Sequence, residues 1–193
     1  MEVRKGKKED AEFLAQVVTE AMGPELCLGL AESVGRLPLV KQLFATLAAM
    51  DESQYSYKNA FIADDSDGNP VGGIIAYDGE LLHKLRLAFI REANIILGWN
   101  VKEEEAENWG DEADRGEIYL DSLYVAPHAR KRGVASSLLE AVNLKFKNSA
   151  KPLGLLVEPE NTVAIATYKK WGFIEVGVSN FFYNPMIHMQ LYI

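Results

Sequence analysis

The stretch that most restricts the fold runs from residue 117 to residue 146, where a strand pattern is followed directly by a helix pattern. The segment "EIYLDSLYV" mixes aromatic and aliphatic residues as strands do, and it ends before Pro127. The following "RGVASSLLEAVNLKF" places its apolar residues along one helical stripe: Ala135, Leu138, Leu139, Val142 and Phe146. The chain therefore passes from a strand into a helix through "HARKRG", a turn rich in cationic residues that ends in a glycine.

The rest of the chain repeats this alternation. Two short apolar runs, "NAFIAD" and "VGGIIAYD", flank the turn formers of "DSDGNP" and predict an antiparallel hairpin. Helical spacing of apolar residues precedes the hairpin, and we expect Gly23 and Pro24 to break the first helix before a second one at 38–50. After the junction come a buried strand, "LGLLVEP", a helix from Asn161 to Gly172, and two closing strands.

These patterns predict one α/β domain over residues 1–193, with a mixed sheet flanked by helices and a helical and acidic insertion at about 80–116. A hydrophobic share of 48% and a charged share of 25% are ordinary for a globular protein. The sequence has no apolar run of about 18 residues, so no membrane span is expected. The first residues lack the apolar core of a signal peptide, which favours a cytoplasmic location.

Charge and residue counts exclude several functions. The formal net charge of −8 argues against nucleic-acid binding, because that function is associated with a strongly basic surface. The single cysteine, Cys27, excludes an intramolecular disulfide. The three histidines, His83, His128 and His188, show no zinc-binding spacing, so no metal site is expected.

The strand-to-helix junction is suited to binding a phosphate. A helix N-terminus presents unpaired backbone N–H groups and the positive end of the helix dipole, and Gly133 lets a ligand approach the backbone closely. Two common phosphate-binding loops do not apply, because the junction has neither a Gly-Lys-Ser/Thr ending nor a G-x-G-x-x-G pattern.

At this junction the sequence resembles the GNAT superfamily of acyl-coenzyme A dependent N-acetyltransferases. The family's signature is Arg or Gln, two residues, Gly, one residue, then Gly or Ala, and here it reads "RKRGVA" over 130–135. A second family pattern of Asn, Ala, Tyr and Gly-Phe matches "NTVAIATYKKWGF" at 161–173. The resemblance implies the GNAT fold, in which a mostly antiparallel sheet holds acyl-coenzyme A in a cleft between two splayed strands.

The resemblance also implies which residues bind the cosubstrate, acetyl-coenzyme A. Backbone amides at the junction would hold its pyrophosphate, and the preceding strand and the later helix would contact its pantetheine arm. The implied residues are Leu123, Tyr124, Val125, Arg130, Lys131, Arg132, Gly133, Val134, Ala135, Ser136, Asn161 and Tyr168. Asn161 is also a good helix N-cap, so its presence has a purely structural explanation as well.

Three residues are candidates for catalysis. The resemblance implies that the Tyr168 hydroxyl protonates the departing thiolate, although a half-buried aromatic packed on the sheet is the alternative. An amine with a pKa of about 10 must lose a proton before it attacks a thioester, which calls for a base. Asp121 and Glu158 are the candidates, since Asp121 stands two residues before Leu123, on the same face of the strand, and Glu158 ends the neighbouring strand.

The sequence thus predicts an N-acetyltransferase that moves an acetyl group from acetyl-coenzyme A to a primary amine on a small molecule or a protein. A non-catalytic acyl-coenzyme A binding module, a different acyl group and a hydroxyl acceptor stay open. The net charge, with "EEEAE" and "DEAD" at 103–114, favours a cationic amine. The family resemblance leaves a homodimer open.

Overall fold

The computed structural model describes residues 1–181 and 184–192, and its framework is a seven-stranded sheet. The strand order across this sheet is β1-β2-β3-β4-β5-β7-β6. The strands are β1 (Glu2–Lys5), β2 (Ala60–Asp64), β3 (Pro70–Asp78), β4 (Ile118–Val125), β5 (Leu153–Val157), β6 (Ile174–Phe181) and β7 (Asn184–Leu191). The helices are α1 (Ala11–Ala31), α2 (Leu37–Ala48), α3 (Leu82–Ile96), α4 (Val134–Phe146) and α5 (Thr162–Lys170).

Helices cover both faces of the sheet because its strands alternate their apolar residues. Ile62 of β2 packs with the buried faces of α1, α2 and α3, whereas its neighbours Phe61 and Ala63 pack with α4. α5 joins α4 on that second face through Ile165 and Tyr168. Strands β2 to β5 are therefore buried between two helical layers, as the sequence patterns predict, whereas β6 is largely exposed.

β4 and β5 are the one parallel pair among the described strands, and they separate almost at once. Their pairing comprises Ile118 with Leu153 and Tyr119 with Gly154. All the other neighbouring strands in the described sheet pair in antiparallel fashion. Beyond Tyr119 the two strands diverge, so the middle of the sheet opens into a fork.

A buried carboxylate closes the base of this fork. Glu117 is fully buried, and its Oε2 atom accepts hydrogen bonds from His188 Nε2 and from Gln190 Nε2, each at 2.8 Å. Its Oε1 atom accepts from the backbone N–H of Asp114 at 3.0 Å. The hydrogen bond with Glu117 raises the pKa of His188. These contacts tie the start of β4 to β7 across β5.

The fork requires a glycine at position 154. A Cβ atom added there would lie 1.8 Å from Glu117 Oε2, too close for the buried carboxylate to stay in place. We expect Gly154→Ala to destabilise the protein by about 1–3 kcal/mol, the usual cost of overpacking. Urea denaturation measures this loss. Gly177→Ala on β6 is the matched control, because nothing lies within 4 Å of a Cβ at that position, and equal midpoints for the two variants would contradict the prediction.

The structure confirms most of the predicted elements, including the break in the first helix at Gly23 and Pro24. What the sequence did not predict is that a second helical segment follows the break at once and runs to Ala31, the end of α1. Gly23 has φ 82° and ψ 166°, a conformation that favours glycine, and Pro24 then begins the second half of α1. α3 occupies much of the segment at 80–116, whose status as an insertion stays a prediction.

Candidate active site

A cleft of about 650 Å³ opens where β4 and β5 separate. Residues from α1, β4, β5 and α5 line it. Five of the residues singled out in the sequence border the cleft: Asp121, Leu123, Glu158, Asn161 and Tyr168. The fork in the sheet therefore brings together residues that are almost 50 positions apart in the chain.

A β-bulge places Asp121 in this cleft. Ser122 pairs with Ile75 of β3 and Leu120 pairs with Ala76, so Asp121 is an extra residue between them. The bulge interrupts the alternation of side chains along β4, and Asp121 and Leu123 do not share a face as the sequence suggested. Asp121 contacts residues on the α1–α3 side, whereas Leu123 packs with the α4 and α5 cluster.

Asp121 is poised to exchange a proton near neutral pH. Burial raises its pKa from 3.8 to about 7. A hydrogen bond from Ser122 Oγ at 2.8 Å lowers this pKa, the charge of Glu112 raises it, and a hydrogen bond from the Tyr77 hydroxyl at 3.3 Å lowers it. A carboxylate with a pKa near the working pH is well suited to general-base catalysis.

A buried polar chain behind Asp121 holds it in place. Gln54 Nε2 donates to the Tyr77 hydroxyl at 3.3 Å and to Glu112 Oε1 at 2.7 Å, and Glu112 also pairs with Arg86. Because Gln54 donates to the Tyr77 oxygen, the Tyr77 proton is directed to Asp121. The sequence patterns did not predict this series of hydrogen-bonded side chains, since its residues come from β3, α3 and two loops. The one sequence signal for it was the acidic "DEAD" run that contains Glu112.

The junction before α4 has the geometry of an anion site. Gly133 caps the helix with φ 83°, and the space where its Cβ would stand is open. None of the backbone N–H groups from 131 to 136 has a partner within the described chain, and the ladder resumes where Ser137 N–H donates to the Gly133 carbonyl at 3.0 Å. Trp171 Nε1 donates to Ser136 Oγ at 3.2 Å, and Trp171 lines the cleft. The start of α4 thus adjoins the cleft.

The open edge of β4 offers backbone groups to a ligand. Ala126 N–H donates to the carbonyl of Val71 on β3 at 2.9 Å. Because backbone groups alternate in direction along a strand, those of Leu123 and Val125 point away from β3, towards the gap beside β5. Arg130 Nε donates to the Val125 carbonyl at 3.0 Å, which fixes the Arg130 side chain against the strand.

The sequence profile of the acetyltransferase (GNAT) family matches residues 38–173. The chain belongs to this family. Members of the GNAT family use acetyl-coenzyme A, and this chain is an acetyltransferase of the GNAT type. The family resemblance inferred from the two motifs is confirmed.

Solved structures share the GNAT fold over the whole chain. An N-acetyltransferase from Staphylococcus aureus superposes with a TM-score of 0.77 at 22% identity, covering 99% of this chain and 100% of its own. A second acetyltransferase superposes with a TM-score of 0.73 at 24% identity, covering 100% of this chain and 99% of its own. The predicted mixed, mostly antiparallel sheet with flanking helices is confirmed.

Of the two tyrosines predicted to contact coenzyme A, Tyr168 lines the cleft and Tyr124 does not. Tyr168 lines the cleft, packs edge-to-face against Trp171 and Phe173, and makes no hydrogen bond through its hydroxyl in the described chain. Burial raises the pKa of Tyr168. Tyr124, by contrast, is not a cleft residue, because its side chain packs beneath α1 and its hydroxyl contacts Gln16 Nε2 at 3.3 Å.

The remaining two predicted residues lie at the exit of β5. Glu158 follows the last residue of β5 and is exposed at the rim of the cleft. Asn161 caps α5, since its Oδ1 accepts from Ala164 N–H at 3.1 Å. The structural explanation for Asn161 therefore holds, and its contact with pantetheine stays a prediction.

Among the described residues, no helix combines the length and the apolarity needed to cross a bilayer. No three or more His, Cys, Asp or Glu side chains in that part of the chain are grouped so that they could hold a metal ion.

Proposed function

We propose that this GNAT enzyme transfers the acetyl group of acetyl-coenzyme A to a primary amine, which attacks directly while both substrates are bound. The observation that carries the proposal is the position of Asp121, a carboxylate with a pKa of about 7, in the cleft between β4 and β5. A base at this point can take the proton of an incoming ammonium group, and no nucleophile from the protein is needed.

The junction residues fit the coenzyme A pyrophosphate. The unpaired N–H groups from 131 to 136 supply donors without a charged side chain, and the helix dipole of α4 favours an anion at the same place. Arg130, Lys131 and Arg132 add positive charge around these donors. On the cleft side, the backbone of Leu123 and the N–H group of Val125 are placed to pair with the pantetheine arm, while the Val125 carbonyl accepts from Arg130.

When bound, acetyl-coenzyme A supplies an acetyl thioester whose thiolate is the leaving group. Backbone N–H groups near Leu123 would stabilise negative charge on the acetyl oxygen, the kind of electrostatic contribution that is usually the largest in catalysis. The raised pKa of Tyr168 keeps its phenol protonated, so the hydroxyl can donate to the departing sulfur. Asp121 takes the proton of the amine, and Glu158 is the alternative base.

The pH dependence separates the two carboxylates. The parental rate should rise as the pH passes about 7, because Asp121 must be ionised to accept a proton. We expect Asp121→Asn to lose the inflection at about pH 7 and to be about 100-fold slower just above it, where the parent has a base and an amine with a pKa of about 10 is still protonated. The deficit should shrink at higher pH. Thiol release from acetyl-coenzyme A with a saturating amine measures both profiles.

Glu158→Gln is the control for this experiment, because the exposed carboxylate lies on the same cleft. It should keep the parental profile. A profile that changes in Glu158→Gln and not in Asp121→Asn would assign the base to Glu158 and contradict our assignment.

The same variant has a stability signature. A raised pKa in the folded state means that ionised Asp121 opposes folding, so its contribution to stability is complete below pH 3.8 and is lost as the pH rises through about 7. Asp121→Asn should therefore melt at a higher temperature than the parent at pH 8.5, with a smaller difference at pH 5. This readout shows that the substituted enzyme is folded when its rate is measured.

A further inference from the structure

The charges along the cleft indicate what kind of amine it accepts. Five ionisable carboxylates line it: Glu20, Glu25, Glu112, Asp121 and Glu158. None of the described lining residues is a lysine, an arginine or a histidine. A neutral or anionic acceptor would gain nothing from this arrangement, whereas each added cationic nitrogen would be attracted to it.

Two of these carboxylates reach the cleft because α1 bends. In a straight α-helix, residues five positions apart are about 140° apart around the axis, so Glu20 and Glu25 would point to different sides. The change of direction at Gly23 lies between them, and both border the cleft. The bend thus creates a pair of carboxylates that the helical pattern of the sequence did not reveal.

Glu20 and Glu25 are available for a ligand. Both are exposed, and neither forms an ion pair or a side-chain hydrogen bond in the described chain. Glu112 differs, because its charge is already matched by Arg86. The acidic "EEEAE" run, which the sequence suggested as a source of attraction, contributes no described lining residue, and its Glu103 pairs with Arg91 at 2.6 Å.

A second observation, independent of the carboxylates, points to a polar ligand in the cleft. Tyr119 is only 6% exposed and lines the cleft, and its hydroxyl makes no hydrogen bond within the described chain. Because no fully buried side-chain oxygen or nitrogen among the described residues lacks a partner, this hydroxyl must be accessible from the cleft. Tyr119 lies two residues before Asp121, and the two groups interact electrostatically. A nitrogen bound at Asp121 would supply the partner that Tyr119 lacks.

Part of the wall of the cleft is aliphatic. Val18, Met22 and Leu26 of α1 line it together with Leu156 and Met186 from the sheet. Such a surface suits a chain of methylene groups, because apolar contacts gain free energy by removing both surfaces from water.

We propose that the acceptor is a linear aliphatic diamine or polyamine, with its reacting nitrogen at Asp121 and Tyr119 and a second ammonium group at Glu20 and Glu25. This inference rests on the proposed acetyl transfer to an amine. The two carboxylates of α1 determine specificity and do not take part in the reaction itself.

The test compares diamines of three to six carbons with alkyl monoamines of the same length, at saturating acetyl-coenzyme A. The parent should prefer the diamines in kcat/KM by about 10-fold or more, and the preference should fall as salt is raised, because exposed charges are screened beyond about 8 Å at physiological ionic strength. The double variant Glu20→Gln/Glu25→Gln should lose about 10-fold with diamines and less than about 2-fold with monoamines.

Two further variants test whether the loss seen with diamines is specific to the carboxylates that bind the second nitrogen. Tyr119→Phe should lower kcat/KM for diamines and monoamines alike, because it acts at the nitrogen that both share. Glu140→Gln on α4 is the matched control, since Glu140 is exposed and is not a lining residue of the cleft. It should change neither series.

Each remaining outcome contradicts a defined part of the account. Equal use of monoamines and diamines by the parent, or an equal loss with both in the double variant, would overturn this inference and leave acetyl transfer intact. Preference for a lysine in a basic peptide over every diamine would also overturn it, in favour of a protein acceptor. If no amine causes thiol release although acetyl-coenzyme A binds, the proposed function itself is wrong, and this inference falls with it.

Discussion

Tyr168→Phe should lower kcat by about 100-fold or more, because a positioned proton donor contributes roughly 10² to 10⁴ to a rate. The substitution removes one oxygen and keeps the ring that packs against Trp171 and Phe173. Since the Tyr168 hydroxyl makes no hydrogen bond in the described chain, the fold should tolerate the change. Single-turnover measurement of thiol release reports the chemical step directly, and calorimetry should give an unchanged affinity for acetyl-coenzyme A.

Tyr57→Phe is the control for this experiment. The Tyr57 hydroxyl donates to Asp51 at 2.7 Å on the surface, and Tyr57 does not line the cleft. Its variant should keep the parental rate. A single-turnover rate for Tyr168→Phe within a few-fold of the parent would remove Tyr168 from the reaction and leave it a packing residue of α5.

Gly133→Glu should weaken coenzyme A binding by about 100-fold or more. A carboxylate at the cap of α4 would stand beside the donors that we assign to the pyrophosphate, and like charges brought together at a binding site cost several kcal/mol. The side chain points into open space, since no atom lies within 4 Å of a Cβ at this position. Isothermal titration calorimetry with coenzyme A measures the loss.

Because φ of Gly133 is positive, a glutamate at this position also strains the backbone, and this strain needs its own control. Gly68 in the turn between β2 and β3 has φ 82° against 83° for Gly133, and a Cβ there also meets nothing within 4 Å. Gly68→Glu therefore introduces the same strain and the same charge away from the cleft. If both glutamate variants bind coenzyme A equally well, the junction does not bind the pyrophosphate.

The sequence predicted the junction well because backbone geometry there follows from local chemistry. A glycine after three cationic residues, followed by a helical stripe, is enough to indicate a capped helix with free N–H groups. The hairpin of β2 and β3 could be predicted equally well, since its turn formers separate two apolar runs. The pairing of strands distant in the chain could not be predicted, because nothing local indicated that β7 inserts between β5 and β6.

The acceptor side of the cleft depends on two local irregularities that periodicity does not reveal. The bulge at Asp121 reverses the alternation of β4, so counting residues placed Asp121 and Leu123 on one face when they lie on two. The break at Gly23 was predicted from the Gly-Pro pair, but not the helical segment that follows it, which brings Glu25 to the same cleft as Glu20. Both features affect residues to which we assign a function.

The most direct test of acetyl transfer to an amine uses acetyl-coenzyme A labelled with ¹³C in its acetyl group. The enzyme is mixed with labelled acetyl-coenzyme A and a diamine, and mass spectrometry measures the masses of the small molecules and of the intact protein. We predict that the label appears on the amine at the same rate as thiol release, that release requires the amine, and that the protein gains no mass. Label on the protein, or thiol release without an acetylated amine, would contradict direct transfer in a ternary complex.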